Sequence, residues 1–161
     1  MLTFHTALTS SPAASRLLTR YFDERARTFP VAQGSYSVSP PDAARFVPPG
    51  GDFVVALLDE APVGCGGVRR LDDDTASDGR RVVVFEVKHL FIDPAARGSG
   101  AGRALLNEVE RRAIALGAQR LVLDTNESLE AAGHLYRASG YRTVEPYNDN
   151  PNATHWYAKD L

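Results

Sequence analysis

The sequence has one cysteine, Cys65, one methionine and one tryptophan in 161 residues, and no run approaches the roughly 20 apolar residues of a membrane span. A lone cysteine excludes an internal disulfide and a cysteine-cluster zinc site. The four histidines are scattered without ligand spacing, so no metal is expected. Neither sign of charge dominates: a formal net charge of −2 argues against a nucleic-acid or polyanion surface. The opening MLTFHTALTSSPAAS lacks the basic segment and long apolar core of a secretory signal. The expectation is a soluble cytoplasmic protein in a reducing setting, with no nucleic-acid or membrane partner and one domain over 1–161.

What is present is a globular pattern with 43% hydrophobic residues. LTFHTAL reads as a first strand. Ser11 then makes an N-cap with Pro12 in the first helical turn, and Leu17, Leu18, Tyr21, Phe22 and Phe29 follow at helical spacing. Residues 30–52, with Pro30, Pro40, Pro41, Pro48 and Pro49, read as a long functional loop holding one short helix near PDAARF. DFVVALLD and PVGCGGVRRL suggest a hairpin turning at EA, and VVVFEVKHLFI a central strand ended by Asp93 and Pro94. A helix is expected from Gly102 to Leu116, with Gly117 at its end. A strand at QRLVLDT follows, then a helix capped by Ser128 and closed by Gly140, then strands at YRTV and THWYAKDL.

Between the central strand and the long helix lies RGSGAG, residues 97–102. The first amides of a helix have no internal partners, the helix dipole puts partial positive charge there, and glycine lets a ligand approach the backbone. Arg97 and Arg103 bracket the turn with two further charges, so a phosphate or pyrophosphate suits it; a tight strand-to-helix connection is the alternative. No Lys-Ser or Lys-Thr follows, which excludes the G-x-x-x-x-G-K-[ST] loop. A G-x-G-x-x-G fingerprint from Gly98 would need glycine where Arg103 stands.

The letters do match R-x-x-G-x-G, as Arg97, Gly100 and Gly102, and here the sequence resembles the GNAT-type N-acetyltransferase superfamily. EVKHLFIDPAARGSGAGRALL resembles that family's strand, loop and helix, GHLYRASGY its following helix and strand, and VVALLDEAPVGCGGVRRL its antiparallel strand pair. The resemblance, which covers residues 53–161, implies a mixed α/β and α+β fold. Its central sheet would be twisted and mostly antiparallel, with a V-shaped splay between the fourth and fifth strands and helices on both faces.

It also implies acetyl-CoA as donor and a small-molecule or peptide amine as acceptor, with a homodimer allowed. The backbone of Leu90, Phe91 and Ile92 would pair with the pantetheine arm. The amides of Arg97, Gly98, Ser99, Gly100, Ala101, Gly102 and Arg103 would hold the pyrophosphate. By similarity Glu86 is the general base, acting through water, and Tyr136 the general acid. Glu86 paired with Lys88 and Tyr136 packed in the core are the plainer readings.

Many relatives carry a cofactor-binding asparagine where this chain has Leu129. Asn126 could substitute for it or make only a turn. On a regular strand Glu86 and Lys88 share a face with Val84, Leu90 and Ile92, and His89 points away. Cys65, without a neighbouring histidine, is a weak nucleophile candidate. Acceptor recognition is expected from Tyr21 to Phe53 and from PYNDNPNATHWY. Tyr147, His155, Trp156 and the acidic Asp72, Asp73 and Asp74 are candidates for binding a cationic amine. The rivals to an enzyme are a non-catalytic acyl-CoA sensor and an α/β protein that binds some other phosphate ligand.

Overall fold

The computed structural model describes all 161 residues. Strand β1 (Leu2–Thr6) leads into helix α1 (Pro12–Thr28), where Ser11 accepts a hydrogen bond from the Ala14 amide. Strands β2 (Gly51–Leu58) and β3 (Ala61–Arg70) form the hairpin. Its turn is Asp59–Glu60 rather than Glu60–Ala61, with both residues at positive φ (47° and 68°), as a two-residue hairpin turn requires.

The long apolar run divides. Strand β5 (Arg81–Val82) pairs with β4 (Asp74–Thr75) in a small separate ribbon, and β6 begins only at Val84 and runs to Ile92. Val83 breaks the run because its backbone serves another segment. Its carbonyl accepts from the Gln119 and Arg120 amides, and its N–H donates to Gln119 Oε1.

Helix α2 (Ala101–Ala115), strand β7 (Arg120–Thr125), helix α3 (Glu130–Ala138) and strands β8 (Arg142–Val144) and β9 (His155–Asp160) complete the chain. Gly117 and Gly140 follow the two helices at φ of 93° and 91°, where a left-handed residue ends a helix. Ser128 does not cap α3, which starts two residues later. Its amide instead donates to Asn126 Oδ1 in a side-chain turn.

The main sheet has seven strands in the order β1-β2-β3-β6-β7-β9-β8, antiparallel throughout except for β6 against β7. On one face Leu105, Leu106 and Val109 of α2 and Tyr136 of α3 pack on Val54, Val68, Phe85 and Val87. On the other, Leu17 and Leu18 of α1 meet Phe46, Phe53, Val55 and Phe91.

Two irregularities of β6 shape everything that follows. The strand pairs with β7 only over Val84–Glu86 against Arg120–Val122, so beyond Glu86 the fourth and fifth strands of the sheet splay apart. It also bulges: Phe91 lies opposite Cys65 but Lys88 opposite Gly67, and His89 takes the left-handed conformation at φ 56°. The extra residue changes the alternation. Leu90 and Ile92 join Phe85 and Val87 against α2, while His89 turns onto the α1 side against Tyr21, Phe22 and Phe46. The regular-strand expectation is therefore reversed: Glu86 shares its face with His89 and Phe91, not with Leu90 and Ile92.

Candidate active site

After β6, Asp93 accepts from the Ala95 amide and caps a single 3₁₀ turn, Pro94–Ala96. Gly98 and Gly100 then take φ of 79° and 84°, a backbone that side-chain-bearing residues adopt at a cost, and no atom lies within 4 Å of where their Cβ atoms would be. The amides of residues 98–103 have no acceptor within the chain. The turn is thus a concave row of free N–H donors at the positive end of α2, open to an anion.

The bracketing arginines differ. Arg103 is exposed and free of carboxylates. Arg97 is committed to Glu24 on α1 at 2.7 and 2.9 Å and to the Ile92 carbonyl at 3.0 Å, so it locks the turn in place. That last bond also occupies the Ile92 carbonyl, one of the groups expected to face the pantetheine. Ser99 spends its hydroxyl proton on the Ala96 carbonyl at 2.7 Å, leaving its amide as the available donor.

From the splay a cleft of about 440 Å³ runs between β6 and β7. Lys88, His89 and Leu90 line one wall, and Asp124, Leu129 and Tyr136 the other. Tyr21, Phe22 and Arg25 of α1, Tyr36, Ser37 and Ser39–Pro41 of the loop after it, and residues 148–153 enclose the far end. The roof segments are clasped: the Ser37 amide donates to Asn152 Oδ1 at 2.9 Å, and Asn152 Nδ2 donates back to the Ser37 carbonyl at 2.7 Å.

Tyr136 is 7% exposed, and burial, reinforced by the nearby Asp124 carboxylate, raises its pKa so that the phenol stays protonated. The hydroxyls of Tyr147 and Tyr157 are hydrogen-bonded within the chain, whereas that of Tyr136 has no partner and belongs to the cleft.

Glu86 is 1% exposed and does not line the cleft. Arg69 Nε donates to its Oε2 at 2.7 Å, the Tyr147 hydroxyl donates to Oε1 at 2.9 Å, and Lys88 Nζ lies 3.7 Å away. Lys88 is also 3.7 Å from Asp124, whose other oxygen accepts from Asn148. The charges form a row, Arg69–Glu86–Lys88–Asp124, and its cleft-facing carboxylate is Asp124. Glu86 therefore has no direct opening onto a reacting amine.

Of the two readings of Asn126, its hydrogen bonds favour the turn former. Its Nδ2 donates to Gln33 Oε1 and the Asn152 carbonyl, and its Oδ1 accepts from Ser128, so its amide ties loops together rather than standing free for a cofactor. Cys65 is fully buried, which pushes its thiol up to about 12, no condition for a nucleophile. Asp73 pairs with Arg70 and Arg81 and Asp74 with Arg120, away from the cleft, so the acidic turn has no part in it. Trp156 acts at one remove, donating to Asn148, while His155 lines a separate groove beside α3.

Arg25, Tyr36 and Asn152 line the cleft from within the stretches expected to recognise the acceptor, though the sequence singles out none of them, and Asp124 lines it from outside those stretches. Two left a trace: Asp124 ends the apolar LVLD, and Arg25 interrupts the apolar stripe of α1.

Comparison with known proteins agrees with this architecture. The sequence model of the Acetyltransferase (GNAT) family matches residues 18–141. An IAA acetyltransferase of Azospirillum brasilense is 35% identical over 95 residues, 59% of this chain and 57% of its own. An uncharacterized N-acetyltransferase of Schizosaccharomyces pombe is 39% identical over 66 residues, 41% of this chain and 40% of its own. The chain thus spans about half the length of these curated relatives. Among solved structures, a GNAT-family acetyltransferase from Staphylococcus aureus superposes with a TM-score of 0.77 over 100% of this chain and 99% of its own, at 18% identity, a likeness of fold. With a turn of free amides at residues 98–103, a splay between the fourth and fifth strands, and a family match that runs through both, the chain belongs to the GNAT acetyltransferase family.

Proposed function

We propose that the protein is an acetyl-CoA-dependent N-acetyltransferase that acetylates a primary amine of a small molecule or peptide by direct attack in a ternary complex. The observation that carries the reading is the run of unpartnered amides at residues 98–103, set at the mouth of the splay. Those amides and Arg103 would hold the pyrophosphate, and the edge of β6 at Leu90, Phe91 and Ile92 would meet the pantetheine arm, less the Ile92 carbonyl that Arg97 already holds. The open approach at Gly98 and Gly100 and the uncommitted donors fit such a group.

Bound acetyl-CoA supplies an activated acetyl group whose transfer to an amine releases the CoA thiol. The chain's own residues then have three tasks. A β6 amide, that of Leu90 or Phe91, donates to the thioester oxygen as it gains charge. Tyr136, kept protonated by burial, gives its proton to the departing sulfur. The proton leaving the amine passes through water to the charge row, with Asp124 as the receiving carboxylate and Lys88 placed between it and Glu86.

Titration with acetyl-CoA, CoA and ATP, followed by thiol release across amino acids, polyamines, aminoglycosides and peptides, tests the reading. Tighter binding of ATP than of acetyl-CoA refutes it. Binding of acetyl-CoA without thiol release from any amine makes the protein a sensor.

A further inference from the structure

Helix α1 places an arginine where its buried stripe calls for an apolar residue. Leu18, Phe22, Arg25 and Phe29 follow one another at helical spacing, and Arg25 is only 5% exposed. Its Nη1 is wholly buried without a hydrogen-bond partner, and no carboxylate lies within 4.0 Å of the guanidinium. The contact it does make is with Tyr36, whose ring centroid is 5.4 Å from the guanidinium carbon. A guanidinium taken out of water without a counter-charge is costly, and the stripe would be better served by leucine.

The remaining charges in the cleft wall and directly behind it cancel. Arg69 and Lys88 offset Glu86 and Asp124, and Asp149 sits exposed at the rim. His89 is neutral, since burial and the neighbouring Lys88 and Arg69 hold it down to about 3. Arg25 is the one inner charge left over. It lines the cleft, and its charge acts on the hydroxyls of Tyr21, Tyr36 and Tyr136, so it stands at the end where the acid stands.

We infer that Arg25 is a carboxylate-binding residue of the acceptor site, and that the acceptor is a small molecule of the amino-acid class carrying a carboxylate beside its amine. The inference rests on the acetyl-transfer reading above and names the substrate class of that site. A planar guanidinium fork matches a carboxylate with two parallel hydrogen bonds, and Tyr21 and Phe22 provide an apolar wall for the rest of the molecule. The two clasped roof segments limit the space to a compact ligand.

The test compares matched acceptors on the intact protein: L-alanine, L-leucine and L-phenylalanine, each against its amide and against the amine lacking the carboxylate. At least one acid should exceed both its partners in kcat/KM by about tenfold or more, the worth of a hydrogen bond to a charged group. Arg25→Gln should bring that ratio close to one while leaving acetyl-CoA affinity unchanged, and Arg25→Lys should keep part of it. Equal ratios across every wild-type pair overturn the inference without needing a variant. So does an Arg25→Gln loss of acetyl-CoA affinity as large as its loss of acceptor preference, which assigns the charge to the cofactor.

Calorimetric titration with the N-acetylated acids and their amides separates this inference from the reading beneath it. Arg25-dependent preference for the acids without turnover of any amine sustains the carboxylate site and refutes the transferase. Turnover of amines without carboxylate preference does the reverse.

Discussion

On the side proposed for the cofactor the available groups are backbone amides of one continuous segment, residues 98–103, presented by a strand, a turn and a helix that follow one another in the chain. On the side proposed for the acceptor they are side chains drawn from α1 and the loop after it and from residues 148–153, more than a hundred positions further along the chain. The first arrangement is indifferent to most side-chain changes and sensitive to backbone conformation. The second is the opposite. One chain can therefore hold a constant donor site while its acceptor site varies, because the two depend on different kinds of atom.

Four changes would break or sharpen that division. The largest effect is expected from Gly98→Val combined with Gly100→Val. Both positions have positive φ, where a β-branched residue costs about 1–2 kcal/mol or more each, so acetyl-CoA affinity should fall by about a hundredfold on calorimetric titration. Retention of wild-type affinity would show that side chains, not amides, hold the cofactor. Tyr136→Phe comes next. In stopped-time thiol assays kcat should drop by roughly 10²-fold, as for loss of a general acid, while acetyl-CoA binding stays level. A parallel loss in binding would make Tyr136 a packing residue.

The third prediction concerns His89, at the seam between the sides. Its folded pKa is depressed from 6.5 to about 3, by burial first and by Lys88 and Arg69 second. The unfolded chain thus binds the extra proton below 6.5, so the stability held by the neutral ring is complete above that pH and is lost as pH falls toward 3. Between pH 7.5 and 5 urea denaturation should show a loss on the order of 2 kcal/mol. His89→Asn, whose side chain tolerates a left-handed backbone, should flatten the dependence. Glu108, held down to about 2 by Arg111 and Arg112, contributes only at lower pH. The smallest effect is expected from Asn152→Ala, which opens the clasp on Ser37. The acceptor KM should rise by about three- to tenfold, the worth of one or two hydrogen bonds, with acetyl-CoA affinity untouched.

The same division explains what could be read from the letters. Arg97, Gly100 and Gly102, the helix after them and the splay they imply are local, and a local pattern survives in a string. The His89 bulge does not, because nothing in Val-Lys-His-Leu marks a residue that turns left-handed, and that one turn moved Glu86 to the face opposite Leu90. Glu86 lost its opening to Arg69 and Tyr147, partners 17 and 61 residues distant. Asn126 was legible as a turn former, but its hold on Gln33, 93 residues away, was not. Arg25 falls within the Tyr21–Phe53 stretch expected to recognise the acceptor, and only packing shows that it is buried with no carboxylate to meet it.

The ties converging on Asn126 and Asn152 bear on how this scaffold can be re-engineered. The first loop is indexed to the end of β7 through Gln33 and Asn126, and to the late loop through Ser37 and Asn152. Transplanting the first loop alone would take the Gln33 acceptor from the buried Asn126 amide, and transplanting the late loop alone would take the Asn152 acceptor from the Ser37 amide. Acceptor range in this fold should thus be transferable only as a matched pair of loops, joined by a shared asparagine code.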